Sequence, residues 1–84
     1  MDLSALITIK RLLEMAIEQA KTEFEQSKKR YNTLKNLSKM TEDDAAKAAI
    51  ATQMSATDEL MHVLWRWKMD LESALKKFTE KDWR

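Results

Sequence analysis

The sequence predicts an all-α protein: an antiparallel two-helix hairpin, coiled-coil-like, that is completed by self-association or by a partner protein. The 84 residues include no glycine and no proline, the residues that most often interrupt helices and form tight turns. Apolar residues recur at alternating spacings of three and four along two long stretches, which places them on one side of a helix. One short polar segment separates the stretches, and helices joined by such a link normally fold back on each other. The length suits a single domain.

The first predicted helix covers residues 3–38, and the turn covers residues 39–41. Asp2 or Ser4 can cap the start of this helix, because a short oxygen-bearing side chain accepts hydrogen bonds from the free amides of the first turn. The apolar row consists of two interleaved heptad series: Leu6, Leu13, Ala20, Ser27 and Leu34, and Leu3, Ile17, Phe24 and Tyr31.

The second predicted helix covers residues 42–79. Thr41 is its expected N-cap, and Asp44, three residues later, completes a variant of the capping box. A kink near Ser55 is an open alternative, because Ser55-Ala56-Thr57-Asp58 could cap a new helix. The expected apolar row is Ala46, Ile50, Thr57, Leu60, Leu64, Trp67, Leu71, Ala74, Leu75 and Phe78.

Residues 60–69 are the densest apolar and aromatic run of the chain, and they are apolar around most of a helix. Such a helix needs cover on more than one side. We expect one side to form the hairpin core and a second stripe to bind a partner, either another copy of the chain or a different protein. The predicted hairpin core comprises Leu6, Leu13, Ile17, Phe24, Tyr31, Leu34, Ile50, Leu60, Leu64, Trp67, Leu71 and Phe78. The predicted partner-binding residues are Met54, Met61, Trp65, Met69 and Trp83.

Composition and charge argue against several other classes of protein. With no cysteine, the chain has neither disulfides nor thiolate metal ligands. A net charge of +1 argues against binding nucleic acid or an anionic membrane mainly by charge, and the basic cluster at residues 28–30 is interspersed with glutamates. No apolar run approaches the roughly 20 residues that span a bilayer, so we expect no membrane insertion. The N-terminus lacks signal-peptide features, and the expected location is the cytoplasm.

We expect no enzyme activity and no cofactor. The chain has no local signature of a nucleophile with its base, and a glycine-rich phosphate loop is impossible without glycine. Glu59 and His62 have the Glu-x-x-His spacing of di-iron helical bundles, with Glu14 and Glu18 as conceivable further ligands. Because Glu59 and His62 fall on the polar strip of the predicted helix, we expect no metal site.

The pattern resembles a known family, the small helical-hairpin co-chaperones of bacterial type III secretion (YscE/SsaE-like proteins). The resemblance lies in chain size, in the long amphipathic helix at 3–38 and in the polar link at 38–44. It also lies in the late apolar and aromatic part of the second helix, from Ile50 to Trp67. The resemblance implies a cytoplasmic protein that, often with a tetratricopeptide-like chaperone, keeps an aggregation-prone secreted subunit soluble before export.

The expected function is therefore that of a non-catalytic protein–protein interaction module, best described as a secretion co-chaperone. The alternative is a structural homodimer that forms a four-helix bundle, as a phage or assembly component would.

Overall fold

The computed structural model describes residues 3–80, which form two α-helices and the short link between them. Helix α1 spans Leu3–Met40 and helix α2 spans Asp44–Glu80. The helices lie antiparallel, since Leu6 and Phe78 line one groove at the open end while Tyr31 and Met54 meet nearer the link. The hairpin is 65 Å long and only 15 × 13 Å across. The predicted all-α helical hairpin is confirmed.

The link lies slightly later in the chain than predicted, because α1 continues to Met40 and α2 begins at Asp44. Thr41 belongs to the end of α1: its hydroxyl donates to the carbonyl of Leu37 at 2.7 Å. The N-cap of α2 is Asp43, whose Oδ2 accepts the amide of Ala46 at 2.9 Å. The prediction of Thr41 as N-cap is therefore wrong, because the carboxylate two residues later offers the stronger acceptor to the free amides.

Helix α2 does not break near Ser55 but continues without interruption from Asp44 to Glu80. The hydroxyl of the buried Thr57 donates to the carbonyl of Gln53 at 2.7 Å. This bond satisfies the hydroxyl inside the helix, where it would otherwise compete for backbone groups in a non-helical conformation.

The two helices meet along one seam, meaning the row of residues on each helix that faces the other. On α1 the seam follows the prediction, except that Leu3 is exposed. Its buried members are Leu6, Ile17, Ala20 and Ser27, and Leu13, Phe24, Tyr31 and Leu34 are half-buried. On α2, Thr57 and Leu64 are buried, and Ala46, Ile50, Met54, Met61, Lys68, Leu71, Leu75 and Phe78 are half-buried.

Two predicted core residues of α2 are wrong: Leu60 is 42% exposed and Trp67 is 44% exposed. The α2 seam contains Met61 and Lys68 instead, so it is rotated around the helix relative to the prediction. Lys68 can occupy this position because its ammonium group contacts the Trp65 ring and Glu72 Oε1, and its side chain is only 15% exposed.

The interior of this hairpin is thin. The buried apolar side chains among the described residues are Leu6, Ile17, Ala20 and Leu64, and no large side chain is fully buried. A core of this size offsets little of the chain entropy that folding costs. The fold therefore depends strongly on each buried seam residue.

We predict that Leu64→Ala lowers the free energy of unfolding by about 2–4 kcal/mol, because it removes a buried leucine and leaves a cavity. The control is the same change at an exposed position near the link, Leu37→Ala, which should cost less than about 1 kcal/mol. Urea unfolding followed by circular dichroism measures both. Equal losses would contradict the placement of the seam.

We also predict that Asp43→Ala destabilises the hairpin by about 1 kcal/mol, since it removes the acceptor for the Ala46 amide. Glu42→Ala is the control, because Glu42 is exposed and accepts no comparable capping bond. The shift in thermal midpoint by circular dichroism separates the two variants. A larger shift for Glu42→Ala would show that the cap is misassigned.

Candidate protein-interaction surfaces

Helix α2 exposes large apolar side chains on both sides of its seam. We define the Trp65 flank as Trp65 and Met69, and the Trp67 flank as Leu60, Val63 and Trp67. The two flanks diverge because residues two apart on a helix point to widely different directions. Each flank is thus a separate candidate surface.

The Trp65 indole is held in a defined position although about half of it is exposed. Its ring centroid lies 5.4 Å from that of Phe24 on α1, with 49° between the ring planes. The Nζ of Lys68 lies 4.4 Å from the indole centroid, within the range of a cation–π contact. The Trp65 ring therefore packs against both Phe24 and Lys68 while about half of it stays exposed.

The same lysine connects the Trp65 flank to a carboxylate. Lys68 Nζ lies 2.8 Å from Glu72 Oε1. The hydrogen bond from Lys68 lowers the pKa of Glu72 below its ordinary value of 4.5. The positive charges of Lys68 and Lys21 act in the same direction, while partial desolvation opposes them. Lys68 therefore contacts an aromatic ring and a carboxylate at the same time. Both contacts involve its ammonium group, which lies beside the Trp65 flank.

The side of α1 that lies beside the Trp65 flank is charged. A groove between the helices is lined by Glu14, Ile17, Glu18, Lys21, Glu72 and Leu75. The attraction between Lys21 and Glu72 also crosses from one helix to the other on this side. A partner on the Trp65 flank would meet apolar rings bordered by charges of both signs.

The Trp67 flank lies on the opposite broad side of the hairpin. Because the Trp65 flank adjoins Lys21, the Trp67 flank adjoins the other side of α1, where Leu12 and Ala16 lie. A shallow groove on α1 is lined by Leu12, Met15, Ala16 and Gln19 together with the charged Arg11, Glu14 and Glu18. Exposed apolar side chains thus occur on this broad side of both helices, with charged residues of α1 beside Leu12.

The predicted partner-binding residues have different positions in the structure. Trp65 and Met69 are exposed, whereas Met54 and Met61 are half-buried in the seam. The prediction that Met54 and Met61 lie on a partner surface is therefore corrected, because the hairpin itself covers much of each side chain. Trp83 lies outside the described residues. The exposed Leu60, Val63 and Trp67 were missed as a surface, although their spacing of three and four residues puts them on one helix face.

The polar candidates remain dispersed. His62 is 72% exposed, and its Nε2 lies 3.7 Å from Oδ2 of Asp58. Within residues 3–80, no three histidine, aspartate or glutamate side chains are grouped so that they could hold a metal ion. The basic residues at 28–30 are exposed. In the same part of the chain, neither helix contains a stretch long and apolar enough to cross a bilayer.

No protein-family model, curated protein or solved structure matches this chain. The likeness to type III secretion co-chaperones stays a prediction.

We predict that Lys68→Met raises the pKa of Glu72 toward 4.5, because it removes the hydrogen bond that favours the carboxylate. With the lowered pKa, the ionised Glu72 stabilises the native state above pH 4.5, and this contribution is lost as the pH falls through that lowered value. Carboxyl NMR titration measures the change. Lys76→Met, which removes the exposed lysine beside Glu80, is the control and should leave Glu72 unchanged. An unchanged Glu72 in Lys68→Met would contradict the assigned contact.

Proposed function

We propose that this hairpin is a non-catalytic protein–protein interaction module. The observation that carries the proposal is that more large apolar side chains are exposed than buried among the described residues. Scattered exposed leucines are ordinary on a protein surface, but a contiguous group of aromatic and aliphatic side chains indicates a binding site. The Trp65 and Trp67 flanks are two such groups on one helix.

The Trp65 flank is the surface that we assign to a different protein. Tryptophan and methionine are enriched in the cores of protein interfaces, and tryptophan is prominent among the residues that dominate binding energy. Contacts with Phe24 and Lys68 restrict the Trp65 indole, which reduces the side-chain entropy lost on binding. The surrounding charges of Lys21, Lys68 and Glu72 supply the polar rim of such an interface.

A narrower form of the proposal is that the module is a cytoplasmic co-chaperone for a type III secretion subunit, acting together with a tetratricopeptide-like chaperone. Its support is the resemblance in chain size, helix lengths and the late aromatic part of α2. The thin core adds to this support, because a hairpin with little interior gains stability by covering apolar surface on another chain.

We predict that a photoreactive phenylalanine derivative placed at position 65 forms a cross-link to a different chain in cells of the source organism. An aromatic replacement keeps the size and position of the indole, and the exposed half of the ring faces outward. The control carries the same derivative at position 29, a solvent-exposed lysine on α1 away from both flanks. Mass spectrometry of the cross-linked band identifies the partner.

A cross-link to an exported subunit or its chaperone would support the narrower proposal. A cross-link to a protein outside any export system would overturn the co-chaperone role and leave the interaction module standing. Cross-links at position 65 that join only two copies of this chain, or that match the position 29 control, would contradict assignment of the Trp65 flank to a different protein.

A further inference from the structure

We propose that the hairpin opens in two stages: the half next to the link opens first, while the half that carries the Trp65 flank stays folded. We define the link half as residues 25–60 and the terminal half as residues 3–24 and 61–80. Proteins open locally where few buried apolar contacts hold an element in place. The inference concerns the fold itself and does not depend on the partner assigned to the Trp65 flank.

The buried apolar side chains are concentrated in the terminal half. Among residues 3–80 they are Leu6, Ile17, Ala20 and Leu64, and none of them lies between residues 25 and 60. The terminal half also has more large half-buried apolar residues along its seam, namely Leu13, Phe24, Met61, Leu71, Leu75 and Phe78. Because stabilisation by burial increases with the apolar area removed from water, this half gains most of the seam energy.

The seam of the link half is more polar and less deeply covered. Its two buried side chains are Ser27 and Thr57. The apolar residues that accompany them are only half-buried, and they are Tyr31, Leu34, Ala46, Ile50 and Met54. Small hydroxyl side chains contribute little apolar area when they are covered. The link half therefore has the weaker hold between the two helices.

Ser27 and Thr57 interrupt the apolar seam next to its last aromatic contact. Both lie on the link side of the Phe24–Trp65 ring contact, since Ser27 follows Phe24 and Thr57 precedes Trp65 in an antiparallel pair. The Thr57 hydroxyl donates to the carbonyl of Gln53 at 2.7 Å, which is a bond within α2. It stabilises that helix without joining it to α1. This polar level is where we place the boundary of the opening.

Two contacts that join the helices through aromatic or charged groups lie in the terminal half. The rings of Phe24 and Trp65 are 5.4 Å apart, and the attraction between Lys21 and Glu72 crosses from α1 to α2. The Asp43 cap near the link is local, because it bonds the start of α2 only. Opening of the link half would therefore leave the Trp65 flank and its contact with Phe24 in place.

Amide hydrogen exchange of the full-length chain, followed residue by residue by NMR at low urea concentrations, tests this proposal. Amides at 30–36 and 48–56 should have protection factors at least about tenfold lower than amides at 14–21 and 64–72. Their exchange should also depend less on urea, because local opening exposes less surface than global unfolding. Equal protection and equal urea dependence in the two halves would overturn the proposal, as would stronger protection in the link half.

Two matched variants test whether the stages are separate. Ile17→Val trims a terminal-half contact that breaks only on global unfolding. It should lower protection in the terminal half roughly two- to tenfold and leave the link half unchanged. Ile50→Val trims a link-half contact that breaks in both stages, so it should lower protection in both halves by one common factor. Circular dichroism checks that both variants remain helical. A uniform loss of protection along the whole chain in Ile17→Val would show a single cooperative unit and contradict two-stage opening.

Discussion

The structure depends on a single seam between two antiparallel helices, centred on Ala20 and Leu64. Both side chains are buried, and the small Ala20 leaves room for α2 to approach α1. Two helices bury only the stripe that each turns toward the other, so every apolar residue outside that stripe stays in contact with water. The exposed residues of α2 are a consequence of this geometry: the sequence has more apolar surface than a two-helix seam covers.

Lys68 is one of the residues that α2 turns toward α1, and only 15% of its side chain is exposed. Its stem occupies a seam position, and its ammonium group reaches both the Trp65 ring and Glu72. With Lys68 turned inward, Trp67 turns to one broad side of the hairpin while Trp65 lies at the border of the seam on the other, against Phe24. The two aromatic flanks therefore lie on opposite sides of the α2 seam.

The sequence was sufficient for the fold class, both helices and the seam of α1, because heptad spacing and the absence of glycine and proline leave few alternatives. The sequence-based prediction of how α2 is rotated about its own axis was wrong. Hydrophobicity favoured Leu60 and Trp67 over Met61 and Lys68, since a lysine is normally assigned to the surface, and only its stem, ring contact and carboxylate partner make the seam position favourable. The N-cap of α2 is Asp43 and not the predicted Thr41. Both residues suit a capping position, and which of them caps α2 depends on where α1 ends.

The central claim is that this hairpin gains much of its stability by covering its exposed apolar surface with another chain. The most direct measurement is the midpoint of thermal unfolding of the purified protein over a hundredfold range of concentration. If unfolding is coupled to dissociation, the midpoint rises with concentration, because mass action favours the associated native state. A cooperative transition whose midpoint does not change with concentration would show that the single hairpin is stable by itself, and would contradict the claim.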